Sequence, residues 1–368
     1  MYHHGGEIYG QKIAYDFSVN LNPLGMPKQV QDFLTSSEVI RYSGVYPQNG
    51  NEQLAEAIAQ KEAVRNGQVV CGNGASELIY AVFSALPPGR VLLCTPGFSE
   101  YEQAARAYGW DIIYYETIEK DGFQIHDEIL EQLKESKPEL TVLCNPANPI
   151  GNCIRPKLLE QIEKILDMQG GRLFVDECFL DFLPDGDMRT AKKFFDEAGN
   201  PQSEDNKKTV LILKAFTKIY SMPGLRLGYL LASSEELAEC IRQKLPDWNV
   251  SSIAQQAGLL ALADDNYLKK TREMVCAERK YLVENLKQLG VTVYDGEANF
   301  ILWKAQSGLK EILQERGILI RDCSNFRGLE TSEDSMTYYR TAVKSRADND
   351  VLIGALKTAI QTGNICKK

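Results

Sequence analysis

Residues 211–229 read LILKAFTKIYSMPGLRLGY. Leu211, Ile212 and Leu213 open the stretch as a short apolar run typical of a buried strand, and the chain then turns polar at Lys214, Thr217 and Lys218. The pair Pro223–Gly224 marks a turn, Arg226 stands between two leucines, and a second apolar run, YLLA (229–232), follows. A solvated loop would carry these cations at little cost, whereas an unpaired buried guanidinium is expensive. Cations delivered at the end of an apolar strand lie where open parallel sheets bind ligands, outside the carboxyl ends of their strands.

The flanking sequence supports such a sheet. Short apolar runs recur at VVC (69–71), VLLC (91–94), DIIYYE (111–116), LTVLC (140–144), LFVD (173–176) and VLIL (210–213). Amphipathic stretches such as SELIYAVFSAL (76–86) and PKLLEQIEKILDMQ (156–169) alternate with them. This alternation predicts an α/β fold, a mostly parallel sheet sandwiched by helices. Beyond about residue 245 the pattern changes. Helices over 254–288 lead to VTVYDGEANFILW (291–303), ILIRDCSNF (318–326) and MTYYRTAV (336–343), a smaller α+β unit. The first 40 residues lack the alternation and are expected to pack with that unit. The division is therefore a large domain at 45–245 and a small one built from 1–44 and 246–368. The polar stretch DEAGNPQSEDNKK (196–208) reads as an exposed loop.

A chain of 368 residues exceeds a single small core. With 44% hydrophobic and 25% charged residues it has an ordinary globular composition. No apolar run approaches the roughly 20 residues that span a bilayer, and no signal-peptide layout opens the sequence. A net charge of −9 disfavours nucleic acid and anionic membranes as partners. The nine cysteines lie mostly in apolar runs with no C-x-x-C pair, which argues for reduced thiols in a cytoplasmic protein and against a zinc cage. Histidine occurs only at 3, 4 and 126, too few for a multi-histidine metal centre; no metal is expected.

The polar residues at the strand ends form a set. After VVC comes GNGASE (72–77), after VLLC comes TPGFSEY (95–101), after LTVLC comes NPANPIG (145–151), after LFV comes DECF (176–179), and after VLIL comes KAFTK (214–218). Each has a plain reading: Asp176 as a helix cap, Asn148 as a turn residue, Phe98 and Tyr101 as core or rim aromatics. Together they offer helix-start amides, a stacking face, an asparagine, a carboxylate, an amine and a guanidinium. Pyridoxal phosphate requires that inventory: an amine for its aldehyde, a carboxylate for its ring nitrogen, and amides with a cation for its phosphate.

GNGASE, NPANPIG, VDECF and FTKIYSMPGLRLGY, in this order and spacing, resemble the fold-type I pyridoxal-phosphate enzymes of the class I/II aminotransferase family along nearly the whole chain. The resemblance implies that Lys218 is the lysine that joins the cofactor and, with Asp176, the catalytic pair. It implies that Asp176 partners the ring nitrogen, Asn148 the ring hydroxyl, and Phe98 the ring face. Gly74, Ala75, Ser76, Thr217 and Arg226 would hold the phosphate region. Tyr46, in VYPQNG (45–50), would reach the cofactor of a neighbouring subunit, which implies a homodimer. Arg340 matches the arginine for a substrate carboxylate, and Arg321, Lys344, His4 and Asn22 are further substrate-binding candidates. Lys214, where relatives often carry arginine, receives no chemistry.

Two branches of the family fit. HHGG (3–6), DFSVNLNPLGMP (16–27), PGFSEY and ILIRDCSNFRGL resemble the threonine-phosphate decarboxylases more than the histidinol-phosphate aminotransferases, and Phe179 stands where the latter usually have tyrosine. The expected substrate is thus a small phosphorylated amino acid. Ala147, Ile150, Ala215 and Val45 depart from the usual family pattern without removing a group the chemistry needs. A cofactor-holding protein without turnover is the reading from another class, and the joint presence of Lys218, Asp176 and Arg340 speaks against it.

Overall fold

The computed structural model describes residues 5–195, 209–264, 266–330 and 336–365. His4 and the stretch 196–208 lie outside the described residues. Thirteen strands are described: β1 (Tyr15–Asp16), β2 (Val69–Gly72), β3 (Arg90–Thr95), β4 (Asp111–Glu116), β5 (Leu140–Cys144), β6 (Arg172–Asp176), β7 (Val210–Ala215), β8 (Gly228–Ala232), β9 (Thr292–Val293), β10 (Phe300–Gln306), β11 (Ile318–Leu319), β12 (Arg321–Asp322) and β13 (Met336–Ala342).

Among them, seven form one sheet in the order β2-β8-β7-β6-β5-β3-β4. The pairs from β4 through β7 are parallel, while β8 runs antiparallel to both β2 and β7. Every residue of β7 and β8 is buried. Helices cover both faces, so these strands carry near-continuous aliphatic runs instead of alternation. The helix Pro156–Gln169 shows the complementary pattern, burying Leu158, Leu159, Ile162 and Leu166 on one face. The sheet core is one contiguous cluster that also takes in Val30, Ala254, Ala257 and Val275.

A second sheet, β12-β13-β10-β9, is antiparallel throughout. Its own cluster includes Ile301, Trp303, Tyr339 and Leu352, together with Phe17 from the N-terminal arm. That arm joins the C-terminal unit through the backbone as well, because β1 pairs in parallel with β11, Tyr15 opposite Ile318. None of the described helices is long and apolar enough to cross a membrane.

Candidate active site

A cavity of 510 Å³ opens at the carboxyl ends of β3, β5, β6 and β7 and is closed from above by Ser18–Asn20 and by the loop after β12. Its lining includes Ala75, Ser76, Phe98, Tyr101, Asn148, Asp176, Thr217, Lys218, Arg226, Arg321 and Arg340. Tertiary structure thus brings most of the predicted set into one chamber, at the place the topology of an open sheet favours.

The two lysines of the opening stretch have opposite environments. Lys214, on β7, is buried and bonds Glu62 at 3.0 Å and Asp181 at 2.9 Å. Burial alone would lower its pKa, but Asp181, Glu62 and Glu177 hold it well above the ordinary range. Burial likewise opposes ionisation of Glu62, yet Lys214 and Lys192 keep its carboxyl at about 2. Lys214 is a structural ammonium. Lys218, one turn later in the short helix Phe216–Ile219, points into the cavity. Among the described residues no carboxylate lies within ion-pair distance of it. Desolvation first, then the guanidinium charges of Arg340 and Arg226, lower its pKa to about 8, with Cys178 and Asp176 opposing. It is the lysine with a usable neutral amine.

Asp176 ends β6, 5% exposed. Its Oδ2 accepts a 2.5 Å bond from the Tyr101 hydroxyl and its Oδ1 a 2.9 Å bond from the Cys178 amide. Burial raises its pKa, and the bonds from Tyr101 and Cys178 oppose that rise. Tyr101 has the sequence context of a core aromatic, and its hydroxyl reaches Asp176 only once the helix Ser99–Ala107 packs against β3 and β4. Phe98, one turn earlier, meets the Tyr101 ring edge-on at 5.6 Å.

Arg226 sits in the left-handed region at φ +55°, a strained backbone for a residue with a side chain. A Cβ added at Gly74, itself at φ +81°, would meet the Arg226 Nη2 at 2.5 Å. The glycine therefore lets the guanidinium lie directly against the start of the helix Gly74–Ala85, beside the amides of Ala75 and Ser76. Gly228 permits the close approach from below, since its Cβ would come within 3.0 Å of the Ala75 nitrogen. The result is an anion cradle built from helix-start amides and one cation.

On the opposite wall Arg321 and Arg340 face each other across the β12–β13 pair. Like charges directly opposite on a sheet are destabilising. Both line the cavity, at 9% and 7% exposure. Arg340 donates from Nη1 to the Asn148 Oδ1 and from Nη2 to the Ser18 carbonyl at 2.9 Å, while its Nε is buried with no partner. Burial, with Arg321 nearby, lowers its pKa to about 10 despite Cys323 and Asp16. Arg321 donates to the Asn325 Oδ1 at 2.7 Å.

Other candidates lie elsewhere. Asn22 does not line the cavity. Its backbone amide donates to the Lys218 carbonyl at 3.1 Å and its side chain to the Ile219 carbonyl at 2.7 Å, so it braces the turn that carries the lysine. Lys344 places its ammonium 5.5 Å from the Phe17 ring centre, also outside the cavity lining. His4 falls outside the described residues. Tyr46 is 80% exposed and packs on Trp248 at 5.0 Å, away from the cavity of its own chain.

These groups fit pyridoxal phosphate: a cradle that a Cβ at Gly74 would spoil, a buried carboxylate at the cavity floor, and a neutral-capable amine between them. They leave Arg321 and Arg340 for a second ligand.

The family model described as aminotransferase class I and II matches residues 14–356. The chain is 36% identical over 353 residues to the threonine-phosphate decarboxylase of Salmonella typhimurium, an alignment covering 94% of this chain and 91% of that protein. The solved histidinol-phosphate aminotransferase of Clostridium acetobutylicum superposes with a TM-score of 0.83 at 28% identity, over 95% of this chain and 99% of that one. The histidinol-phosphate aminotransferase of Sinorhizobium meliloti, solved in complex with pyridoxal 5'-phosphate, superposes with a TM-score of 0.81 over 96% of this chain and 92% of that one; at 20% identity it bears on the fold alone.

Proposed function

The chain belongs to the class I and II aminotransferase family, with its fold-type I architecture, and we propose that it decarboxylates L-threonine O-3-phosphate to 1-aminopropan-2-yl phosphate with pyridoxal phosphate as cofactor, a step of cobalamin synthesis. The observation that carries the reading is the pair Arg321 and Arg340, opposed across two strands in the chamber of Lys218. Two guanidiniums in that position, one with an unbonded buried Nε, suit a substrate with two anionic groups, a carboxylate and a phosphate. Two further features favour the decarboxylase branch. One is the 36% identity to the Salmonella typhimurium enzyme. The other is Phe179, which is buried edge-on against Phe300 at 5.0 Å and brings no hydroxyl to the cavity.

Bound there, pyridoxal phosphate would supply an aldehyde for the substrate amine and a ring that accepts the electron pair released when a bond to the α-carbon breaks. The chain's own residues do the rest. Arg226 with the Ala75 and Ser76 amides holds the cofactor phosphate, and Asp176 sets a negative charge at the ring nitrogen. Arg340 holds the substrate carboxylate and so governs which bond of the α-carbon is exposed to cleavage. The Lys218 Nζ carries the proton that replaces the lost carboxylate. Placement errors of about 1 Å at such a site can change rates about a hundredfold.

The test is incubation of holoenzyme with L-threonine O-phosphate and no keto acid, following CO2. Release over many turnovers is the expected result. Absence of CO2, with a single stoichiometric conversion of the cofactor on adding histidinol phosphate, would replace the reading with transamination, which the likeness to the Clostridium acetobutylicum structure favours.

A homodimer belongs to the same proposal. Tyr46, Val45, Ile40 and Trp248 are exposed at 80%, 56%, 76% and 48%, apolar surface that a second copy would cover. Sedimentation equilibrium should therefore read twice the 41.3 kDa chain mass; a monomer at micromolar concentration would remove Tyr46 from the cofactor site.

A further inference from the structure

The loop after β12 brings a third guanidinium to the cavity. Arg327 lines the same chamber as Arg321, six residues earlier in the chain, but sits at its mouth with its side chain 45% exposed. Its guanidinium carbon stands 4.2 Å from the centre of the Tyr114 ring on β4, a stacking arrangement that fixes the plane of the fork while leaving its edge available. Among the described residues, the carboxylate within ion-pair distance of it is that of Glu102, at 3.5 Å. That acid is already matched, since Arg106 bonds the same oxygen through Nε at 3.0 Å and Nη2 at 2.7 Å. Glu102 is thus shared between two guanidiniums, and the Tyr114 ring serves as a platform for that of Arg327 at the cavity rim.

We propose that Arg327 is a specificity-determining residue that completes the site for the substrate phosphate, taking it from the rim while Arg321 takes it from the buried side. The inference rests on the reading that the substrate carries a phosphate, and it does not depend on which bond of the α-carbon breaks. A phosphate dianion bridged by two planar forks gains charge-assisted bonds that a neutral side chain cannot make. The contribution belongs to substrate binding, because the phosphate is remote from the reacting carbon and bound equally before and during the reaction.

The experiment uses holoenzyme with Arg327→Gln and Arg327→Lys. For L-threonine O-phosphate, Arg327→Gln should raise KM about tenfold with kcat changed less than about twofold. The spectral half-saturation by L-threonine, which lacks the phosphate, should stay unchanged. Arg327→Lys should recover part of the loss, as a point charge without the fork. Added NaCl should weaken phosphate-substrate binding more in wild type than in Arg327→Gln. An unchanged KM, or an equal loss with L-threonine, would overturn the proposal and leave Arg327 as a structural link between the loop and β4. If the wild type releases no CO2, the same comparison is made by spectral titration with histidinol phosphate, so failure of the decarboxylase reading and failure of the Arg327 assignment give different results.

Discussion

Lys218→Ala holoenzyme is expected to release CO2 from L-threonine O-phosphate at least about a thousandfold more slowly than wild type, and to lack the near-visible absorption of a lysine-linked cofactor. The expectation rests on the contrast between two lysines four residues apart. Lys214 is held as an ammonium by Glu62 and Asp181 and does not line the cavity. Lys218 is desolvated beside Arg340 and Arg226, and its pKa of about 8 leaves a substantial neutral fraction under ordinary conditions. The sign of the pH effect follows. Only the unprotonated amine attacks an aldehyde, so covalent uptake of added pyridoxal phosphate by cofactor-free wild type should quicken about tenfold per pH unit up to about 8 and level off above it. A persistent absorption band in Lys218→Ala would transfer the role to Lys214 and undo the assignment.

The second large effect is expected at Asp176. Asp176→Asn should lower kcat/KM about a hundredfold to a thousandfold, as loss of a preorganised charge at a reacting group does. The substitution is nearly isosteric, but an amide cannot reproduce the carboxylate's two acceptances, from Tyr101 at 2.5 Å and from the Cys178 amide at 2.9 Å. Tyr101→Phe provides the graded comparison. It removes one bond to a charged acceptor and leaves the carboxylate in place, so a loss of about tenfold is expected. Burial, Asp176 and Cys144 raise the Tyr101 pKa well above its usual value, so the hydroxyl remains a donor throughout the working pH range. Steady-state CO2 release alongside thermal unfolding separates the chemical loss from a folding defect. A loss below about threefold in Asp176→Asn, with the fold intact, would mean that the carboxylate does not face the reacting group.

Much of the architecture was legible because its signals are local. LTVLC spans β5 and VLIL opens β7, and the helix over 156–169 shows its buried face in the sequence. The antiparallel course of β8 was not legible. YLLA reads like any other buried strand, and its direction is decided by the Pro223–Gly224 turn and by register against β2 and β7. Among site residues, Asn22 and Lys344 read as substrate contacts, yet one braces the Lys218 turn and the other lies against Phe17. Arg327 carried no signal, since a half-exposed arginine in a polar loop is the commonplace use of that residue.

The sequence by itself determined the elements, their alternation and the kinds of groups at the strand ends, because strand and helix periodicity and turn chemistry act over a few residues. Tertiary structure alone decided which of two lysines is an ammonium locked between acids and which a neutral-capable amine, and it alone set Arg321 opposite Arg340. It also placed the Tyr101 hydroxyl on Asp176, 75 residues away. The physical reason is that burial and the approach of distant charges, which set protonation and charge in a site, arise from contacts between segments far apart in the chain.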